Sequence, residues 1–313
     1  MSKKNYGILV TTKDRESYLA AFLESVSKLY KKPEQIVIVS TGKKIERLID
    51  KYRLVLNINH MHSEKGGQTF QKKLGINLLN TTLEWVLFCD DDILLFPNTI
   101  AELFSFEEAA DESKNIVGVG LMDLSNKIIE YRRIERIGRA LFRLSDSVPG
   151  KVLRNGYNSN YMNSPYSIRT EWLNGVALWR KDVVFNYAVN LDNVKHAYGE
   201  DLIFSYTQSK YGEMYYCPAS KYVTQDQSLV VNIEQTFYEK SYHNLYIAKL
   251  FSEISVISFY WLQIGRTIAF LYTNRKRLKL IFFAINVFMD ISNLIAKNAS
   301  ASKILNCRIN NLP

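Results

Sequence analysis

Three consecutive carboxylates, Asp90, Asp91 and Asp92, close the most apolar strand-like run of the chain, Trp85-Val86-Leu87-Phe88-Cys89. Like charges at adjacent positions repel, so a buried strand gains nothing from ending this way unless a cation sits against it. A divalent metal held against a phosphorylated ligand answers that need, because Mg²⁺ takes one or two carboxylates and completes its shell with substrate phosphate oxygens. A solvated acidic turn is the alternative. A second acidic pair, Glu200-Asp201, stands later in the chain inside Tyr198-Gly199-Glu200-Asp201-Leu202-Ile203-Phe204-Ser205-Tyr206.

The elements that must position these acids alternate. Tyr6 to Val10 reads as a strand. A helix follows from Arg15, with Tyr18, Leu19, Phe22, Leu23 and Val26 on one face. Ile36-Val37-Ile38-Val39 is a second strand and Leu54-Val55-Leu56-Asn57-Ile58 a third. Gly66-Gly67 leads a helix through Phe70, Leu74, Ile76 and Leu79, then comes the strand that ends in acids. Pro97 opens a further helix and Ile116 to Leu121 forms another strand. Strands alternating with helices imply right-handed crossovers and a mixed, mainly parallel α/β sheet. Ligands bind such sheets at the strands' carboxyl ends, where Thr11, Thr12, Ser40, Thr41 and Asp90 to Asp92 fall. Neither GxGxxG nor a P-loop occurs.

From 124 to 170 the alternation breaks. Arg132, Arg133, Arg136, Arg139 and Arg143 precede a turn-rich stretch from Tyr157 to Tyr166. This segment reads as an acceptor-facing lid or as a solvated connection.

A net charge of +9 over 313 residues suits an anionic partner: nucleotide, nucleic acid or anionic lipid. The three cysteines, Cys89, Cys217 and Cys307, are scattered and form no CxxC pair, which fits a reducing compartment. Met1 to Asn5 runs into the first strand with no apolar core of signal-peptide length, so the protein is expected to face the cytosol.

Over residues 6 to 250 the ordered motifs resemble those of the family-2 glycosyltransferases with a GT-A fold. Val10 to Arg15 is similar to the first-strand segment that touches the nucleotide base, and Gly66-Gly67-Gln68 with Gln71 to Ile76 to the glycine-led helix. Phe88 to Asp92 is similar to the DxD signature, Trp172 to Arg180 to the acceptor-side segment, and Gly199-Glu200-Asp201 to the ED motif. The resemblance implies donor contacts from Thr11, Thr12, Arg15, Ser40, Gly67, Lys72, Asp90 and Asp91. It implies Mn²⁺ or Mg²⁺ on Asp92 and Asp90, with Asp226 or Gln225 standing where many members place a histidine. Asp201 becomes the general base, with Glu200 as a positioning group or second candidate, and Trp172, Asn174 and Gly175 face the acceptor. Lys72 or Lys73 would add phosphate contacts; a solvated lysine face is the alternative for both. The acidic pair that often follows the family's second strand is replaced by Ser40-Thr41-Gly42, and the four histidines read as structural or surface residues.

After Leu250 the composition turns to Ile, Phe, Leu and Tyr. Segments 254–273 and 278–296 are each long enough to span a bilayer, yet both carry polar stripes: Lys279, Asn286, Asp290, Asn293 and Lys297 in the second, Ser255, Arg266 and Thr273 in the first. Arg275-Lys276-Arg277 between them would be placed outside by a first span, against the positive-inside rule. In-plane helices on an anionic surface fit better; a pair packed on protein is the alternative.

The expectation is a GT-A catalytic domain over 1–249 and an amphipathic membrane-associating tail over 250–313. The activity expected is metal-dependent, inverting transfer of a sugar from a nucleotide-diphosphate donor to a lipid-linked saccharide, as in cell-surface polysaccharide assembly, at the cytoplasmic face of the plasma membrane. Nucleotidyl transfer, and a noncatalytic anion-binding scaffold, are the rivals. No nucleic-acid motif accompanies the charge, so no nucleic-acid partner is expected.

Overall fold

In chain order the elements of the computed structural model are β1 (Tyr6–Lys13), α1 (Glu16–Ser27), β2 (Gln35–Thr41), α2 (Glu46–Arg53), β3 (Ile58–His62), α3 (Gln68–Ile76) and β4 (Trp85–Asp90). Then come β5 (Ile93–Leu95), α4 (Thr99–Ala109), β6 (Ile116–Asp123), α5 (Arg133–Leu141), β7 (Ile168–Thr170), β8 (Ala177–Arg180), α6 (Lys181–Phe185), α7 (Glu200–Gln208) and β9 (Glu213–Thr224). Four helices close the chain: α8 (Ile233–Leu250), α9 (Val256–Thr273), α10 (Leu278–Ala296) and α11 (Ala301–Asn310). The structure describes residues 4–109, 114–126, 132–144, 148–192, 197–225 and 232–310. These pack as two units, Met1–Lys127 with Tyr161–Ser228, and Ile128–Asn160 with Leu229–Pro313.

The first unit is built on one sheet of order β3-β2-β1-β4-β8-β6-β9-β5, with β7 paired to β9. Strands β3, β2, β1 and β4 run parallel, while β8 is antiparallel to both β4 and β6. The inner strands are buried along their length, which is why they read as continuous Ile/Val/Leu runs rather than alternating ones. Helix α1 covers one face with Leu19, Phe22, Leu23 and Val26, each fully buried. Each contributes about 1.5–3 kcal/mol of burial.

Strand β1 is flanked by β2 on one side and β4 on the other, so the crossover direction reverses there. That switch point opens a crevice at the strand ends. Thr11 lies opposite Asp90 and Thr12 opposite Ser40.

Three readings of the sequence are corrected. Leu54 to Asn57 is not strand: Val55 and Leu56 donate backbone hydrogen bonds to Tyr52 O as the end of α2, and Leu54 is exposed. The third strand starts at Ile58, where pairing with Ile36 begins, and it is polar because one face of this edge strand is accessible. Pro97 precedes α4 by two residues instead of opening it. Segment 124–170 is neither a lid nor a bare connection along its length. Phe142 packs on Gly265 and Trp261, Asn244 Nδ2 donates to Gly156 O, and Ser255 N donates to Arg154 O. These contacts place its middle part in the second unit.

That second unit is helical. Helix α10 buries Leu280, Ala284, Val287 and Ile291, a stripe of three- and four-residue steps, and packs against α8 and α9. Among the described residues it is the one helix long and apolar enough to cross a membrane. Its polar stripe Lys279, Asn286, Asp290, Asn293 and Lys297 is exposed. The contact division therefore differs from a boundary at 249/250: α8 and part of 128–160 group with the C-terminal helices.

Candidate active site

The site grows from strand ends. After β4 the acids diverge in environment. Asp91 is buried and accepts a hydrogen bond from Thr12 Oγ1 at 2.6 Å. Arg15 Nη1 donates to Asp92 Oδ2 at 2.8 Å and to Asp91 Oδ1 at 3.2 Å. Asp90 is half-buried, and among the described residues no group donates a hydrogen bond to its carboxylate. Burial raises its pKa to about 6; Lys72 pulls it down and the charges of Asp92 and Asp91 push it up again. Gln71 Nε2 bridges the neighbouring ends, donating to Thr12 O at 3.1 Å and Val39 O at 2.9 Å.

The second acidic pair opens α7 behind Gly199, whose φ of 80° is left-handed and turns the chain into the helix. The two acids have different surroundings. Glu200 is buried; its Oε2 faces Lys72 Nζ at 2.7 Å and its Oε1 accepts from Tyr187 OH at 2.6 Å. Asp201 is half-buried, and among the described residues its carboxylate accepts only from its neighbour's backbone, Leu202 N, at 2.9 Å. Burial, then the charge of Glu200, raises its pKa to about 6, with Asp90 adding to the effect. The buried ammonium of Lys72 loses from desolvation but gains more from Glu200, Asp90 and Asp201, so its pKa stands above the usual lysine value.

Gly175 borders the first acids: a Cβ there would stand 3.5 Å from Asp90 Oδ2. Next to it, Asn174 donates its backbone N–H to Tyr161 Oη and its side-chain Nδ2 to Tyr222 Oη, both at 2.9 Å. Asn174 Oδ1 is buried and has no protein partner among the described residues, an acceptor that a ligand hydroxyl would satisfy. Trp172 is buried with its ring edge-on to Tyr161, 4.9 Å between centroids, so it packs.

Other candidates sit as follows. Ser40 is buried, with Oγ 2.8 Å from His60 Nε2 and 3.2 Å from His62 Nδ1, so both histidines serve this strand end. Gly67, at φ 125°, leaves only 3.1 Å between a built Cβ and Asp192 O. Asp192 in turn holds Lys73 Nζ and Thr69 Oγ1. Thr11 is half-buried beside Asp90. Gln225 N donates to Asp92 O at 2.7 Å, which brings the end of β9 to the acids. Asp226 and His196 lie outside the described residues.

Two expectations change. Lys72 is neither a solvated lysine nor a free phosphate ligand, since its ammonium is committed to Glu200. Lys73 is committed to Asp192. Sequence reasoning did not single out Tyr187, Tyr161, Tyr222 or Asp192. Tyrosines in apolar runs read as packing, and only contacts between distant segments reveal their hydroxyl partners.

Among the described residues no cluster of three His, Cys, Asp or Glu side chains could hold a metal by itself. Two carboxylates at a strand end, with a third already bonded to Thr12, fit a divalent ion that takes its other ligands from a diphosphate and water.

A nucleotide-binding type of sheet, with acids at its switch point and a second acid at a helix start, defines the GT-A class of transferases. Residues 7–173 match the profile of Glycosyl transferase family 2, and the chain belongs to that family. It is a glycosyltransferase, which sets aside nucleotidyl transfer and a noncatalytic scaffold. Among solved structures it is similar to S. aureus TarS 1–349, at 15% identity and TM-score 0.56, over 98% of this chain and 89% of that one. The same protein in complex with UDP-GlcNAc aligns at 14% identity and TM-score 0.55, with the same coverage. The mannosyltransferase PcManGT from Pyrobaculum calidifontis, in complex with GDP-Man and Mn²⁺, aligns at 12% identity and TM-score 0.53, over 94% and 79% of the two chains. Comparison with curated protein sequences gives no significant match.

Proposed function

We propose that this glycosyltransferase moves one sugar, with inversion, from a nucleotide-diphosphate sugar to the hydroxyl of a lipid-linked saccharide at the cytoplasmic face of the membrane. The observation that carries this reading is the split fate of the second acidic pair. Glu200 is consumed by Lys72 and Tyr187, whereas the half-buried carboxylate of Asp201 has no side-chain partner among the described residues, and its pKa, about 6, suits a base working near neutrality.

In this reading Asp201 accepts the proton of the acceptor hydroxyl while that oxygen attacks the anomeric carbon from the face opposite the diphosphate. One base on the far face gives inversion. Glu200 positions α7 and does not exchange protons. Thr11, Thr12 and the β2 end at Ser40 line the nucleotide side, Asp90 the donor, and Asn174 Oδ1 offers an acceptor to a sugar hydroxyl. Asp92, with Asp90 beside it, would hold Mn²⁺ or Mg²⁺, which when bound neutralises the departing diphosphate. Arg15 stands on the same acids and can turn to phosphate.

The acids at the strand ends and the nucleotide sugars carried by the two similar structures support a nucleotide-sugar donor. The test is a panel of nucleotide sugars screened by calorimetry with and without Mn²⁺, on the wild type and Asp92→Ala. One donor should bind in a metal-dependent way, and Asp92→Ala should lose that dependence with an unchanged circular dichroism spectrum. Metal-independent donor binding, equal in both proteins, overturns the assignment.

A further inference from the structure

Helix α5 carries an apolar face that nothing covers among the described residues of its own unit. None of its nine residues is buried, although Ile134, Ile137 and Leu141 fall on one side at steps of three and four. Ile134 is 77% exposed and Leu141 61%. A soluble helix normally turns such a face inward. Here the end of the helix is fixed with that face outward: Phe142 lies in the notch at Gly265, where a Cβ would meet it at 2.2 Å, and its ring lies tilted against Trp261, 5.1 Å between centroids. Trp261 Nε1 donates to Leu141 O at 2.9 Å.

The apolar surface continues along α9. Ile257, Trp261, Ile268 and Tyr272 are exposed at steps of four, seven and four, one stripe of that helix. Its end runs into Arg275-Lys276-Arg277, with the Arg275 guanidinium 4.8 Å above the Tyr272 ring. Arg132 at the N-cap of α5, Arg133 and Arg136 are exposed and flank or back the apolar face. The helix's one acid, Glu135, is turned back to accept from Arg132 N.

We infer that α5 and the exposed stripe of α9 form a docking surface for an anionic lipid bilayer. Apolar side chains enter the acyl boundary while arginine and lysine side chains meet headgroup phosphates. The charge pattern selects this occupant. Two copies meeting face to face would bring six cations on each side into opposition, which repels. A nucleic acid would leave Ile134, Ile137 and Leu141 without an apolar partner. An anionic membrane satisfies both halves of the surface, apolar side chains in the acyl boundary and cations at the headgroups. The surface does not depend on the transfer reaction, and the two are measured separately.

The experiment uses the full chain with phosphatidylcholine vesicles, with and without phosphatidylglycerol, and brominated lipids as quenchers. Trp85, Trp172 and Trp179 are buried and Trp261 is 44% exposed, so quenching reports Trp261. Wild type should float with anionic vesicles and be quenched by them. Ile134→Glu with Ile137→Glu should weaken both by about tenfold or more, with an unchanged thermal melt because neither side chain is buried. Arg133→Gln with Arg136→Gln should weaken binding to anionic vesicles only. Wild type that stays with the aqueous phase, or a Glu variant that binds undiminished, overturns the inference. So does a wild-type dimer in sedimentation that the Glu variant splits without altering vesicle binding. Loss of nucleotide-sugar binding alone would count against the transferase site and leave this surface standing.

Discussion

Lys72 Nζ lies 2.7 Å from Glu200 Oε2, with both side chains 4% exposed, and this buried pair ties the glycine-led helix α3 to the first turn of α7. Because Tyr187 takes the other oxygen of Glu200, the pair fixes where α7 starts and so where Asp201 points. A buried pair gains little over an apolar replacement, but losing one partner leaves a charge with no compensation.

Lys72→Met should therefore destabilise the protein by about 3–5 kcal/mol, read as a lower urea midpoint. Lys72→Met with Glu200→Gln should recover much of that loss. An additive double variant would mean the two side chains do not act as a pair.

Asp201→Asn and Glu200→Gln should separate chemistry from positioning. The first should keep donor binding and lower kcat by about a hundredfold or more. The second should lower stability along with activity, since glutamine keeps one acceptor oxygen for Tyr187 and Lys72 to share and leaves the buried ammonium without its counter-charge. If Glu200→Gln removed kcat at full stability while Asp201→Asn turned over normally, the roles would be reversed.

The pH dependence of turnover follows from Asp201. With its pKa raised to about 6, the carboxylate is protonated below that pH and cannot accept a proton. Measured as kcat/KM, which reports the free enzyme, activity should rise with pH through about 6 and level off above about 7. A rate already flat at about pH 5 would indicate a base with an ordinary carboxylate pKa.

How far this site was legible in the chain depends on which forces build it. The acids were visible because β4, whose residues before Asp90 are all buried, makes a charged end conspicuous. The parallel strands were visible for the same reason, as was α1 from its spacing. The third strand was misplaced because Ile58–His62 is polar and draws its order from pairing with β2, while the more apolar Leu54-Val55 is exposed. The antiparallel β8 could not be foreseen, since a four-residue strand between loops carries no signal of direction. Lys72 was misjudged for a related reason: its partner is 128 positions away, and a lysine beside a second lysine looks solvated. Helix α5 was hidden inside an arginine cluster that reads as loop.

Asp90→Asn should stabilise the protein at neutral pH. Its folded-state pKa, raised to about 6 mainly by burial, exceeds the ordinary 3.8. Between these values the folded state holds more protons than the unfolded one, so stability from this group falls as pH rises through the window. Asparagine removes that cost, and the gain in denaturation free energy should be about 3 kcal/mol at pH ~7.5 and fall to about 0.5 kcal/mol at pH ~4. Donor and metal binding should be lost in the same variant. A gain that persists undiminished at low pH would place its origin outside this carboxylate.

Arg15 and a metal ion compete for one carboxylate. The guanidinium stands 2.8 Å from Asp92 Oδ2 and 3.2 Å from Asp91 Oδ1, with 36% of its side chain exposed. A half-exposed pair of this kind is worth about 0.2–1 kcal/mol. An ion bound to Asp92 in the absence of nucleotide must displace the arginine and forfeit that energy. Arg15→Gln should therefore raise nucleotide-free Mn²⁺ affinity by up to about fivefold, measured by water-proton relaxation. Once the donor is present the guanidinium can turn to its phosphates, so the same variant should bind metal and donor together less tightly than wild type. The opposite signs of these two effects distinguish competition at Asp92 from a general loosening of the site, which would weaken both. Unchanged nucleotide-free affinity would mean that the ion does not use Asp92.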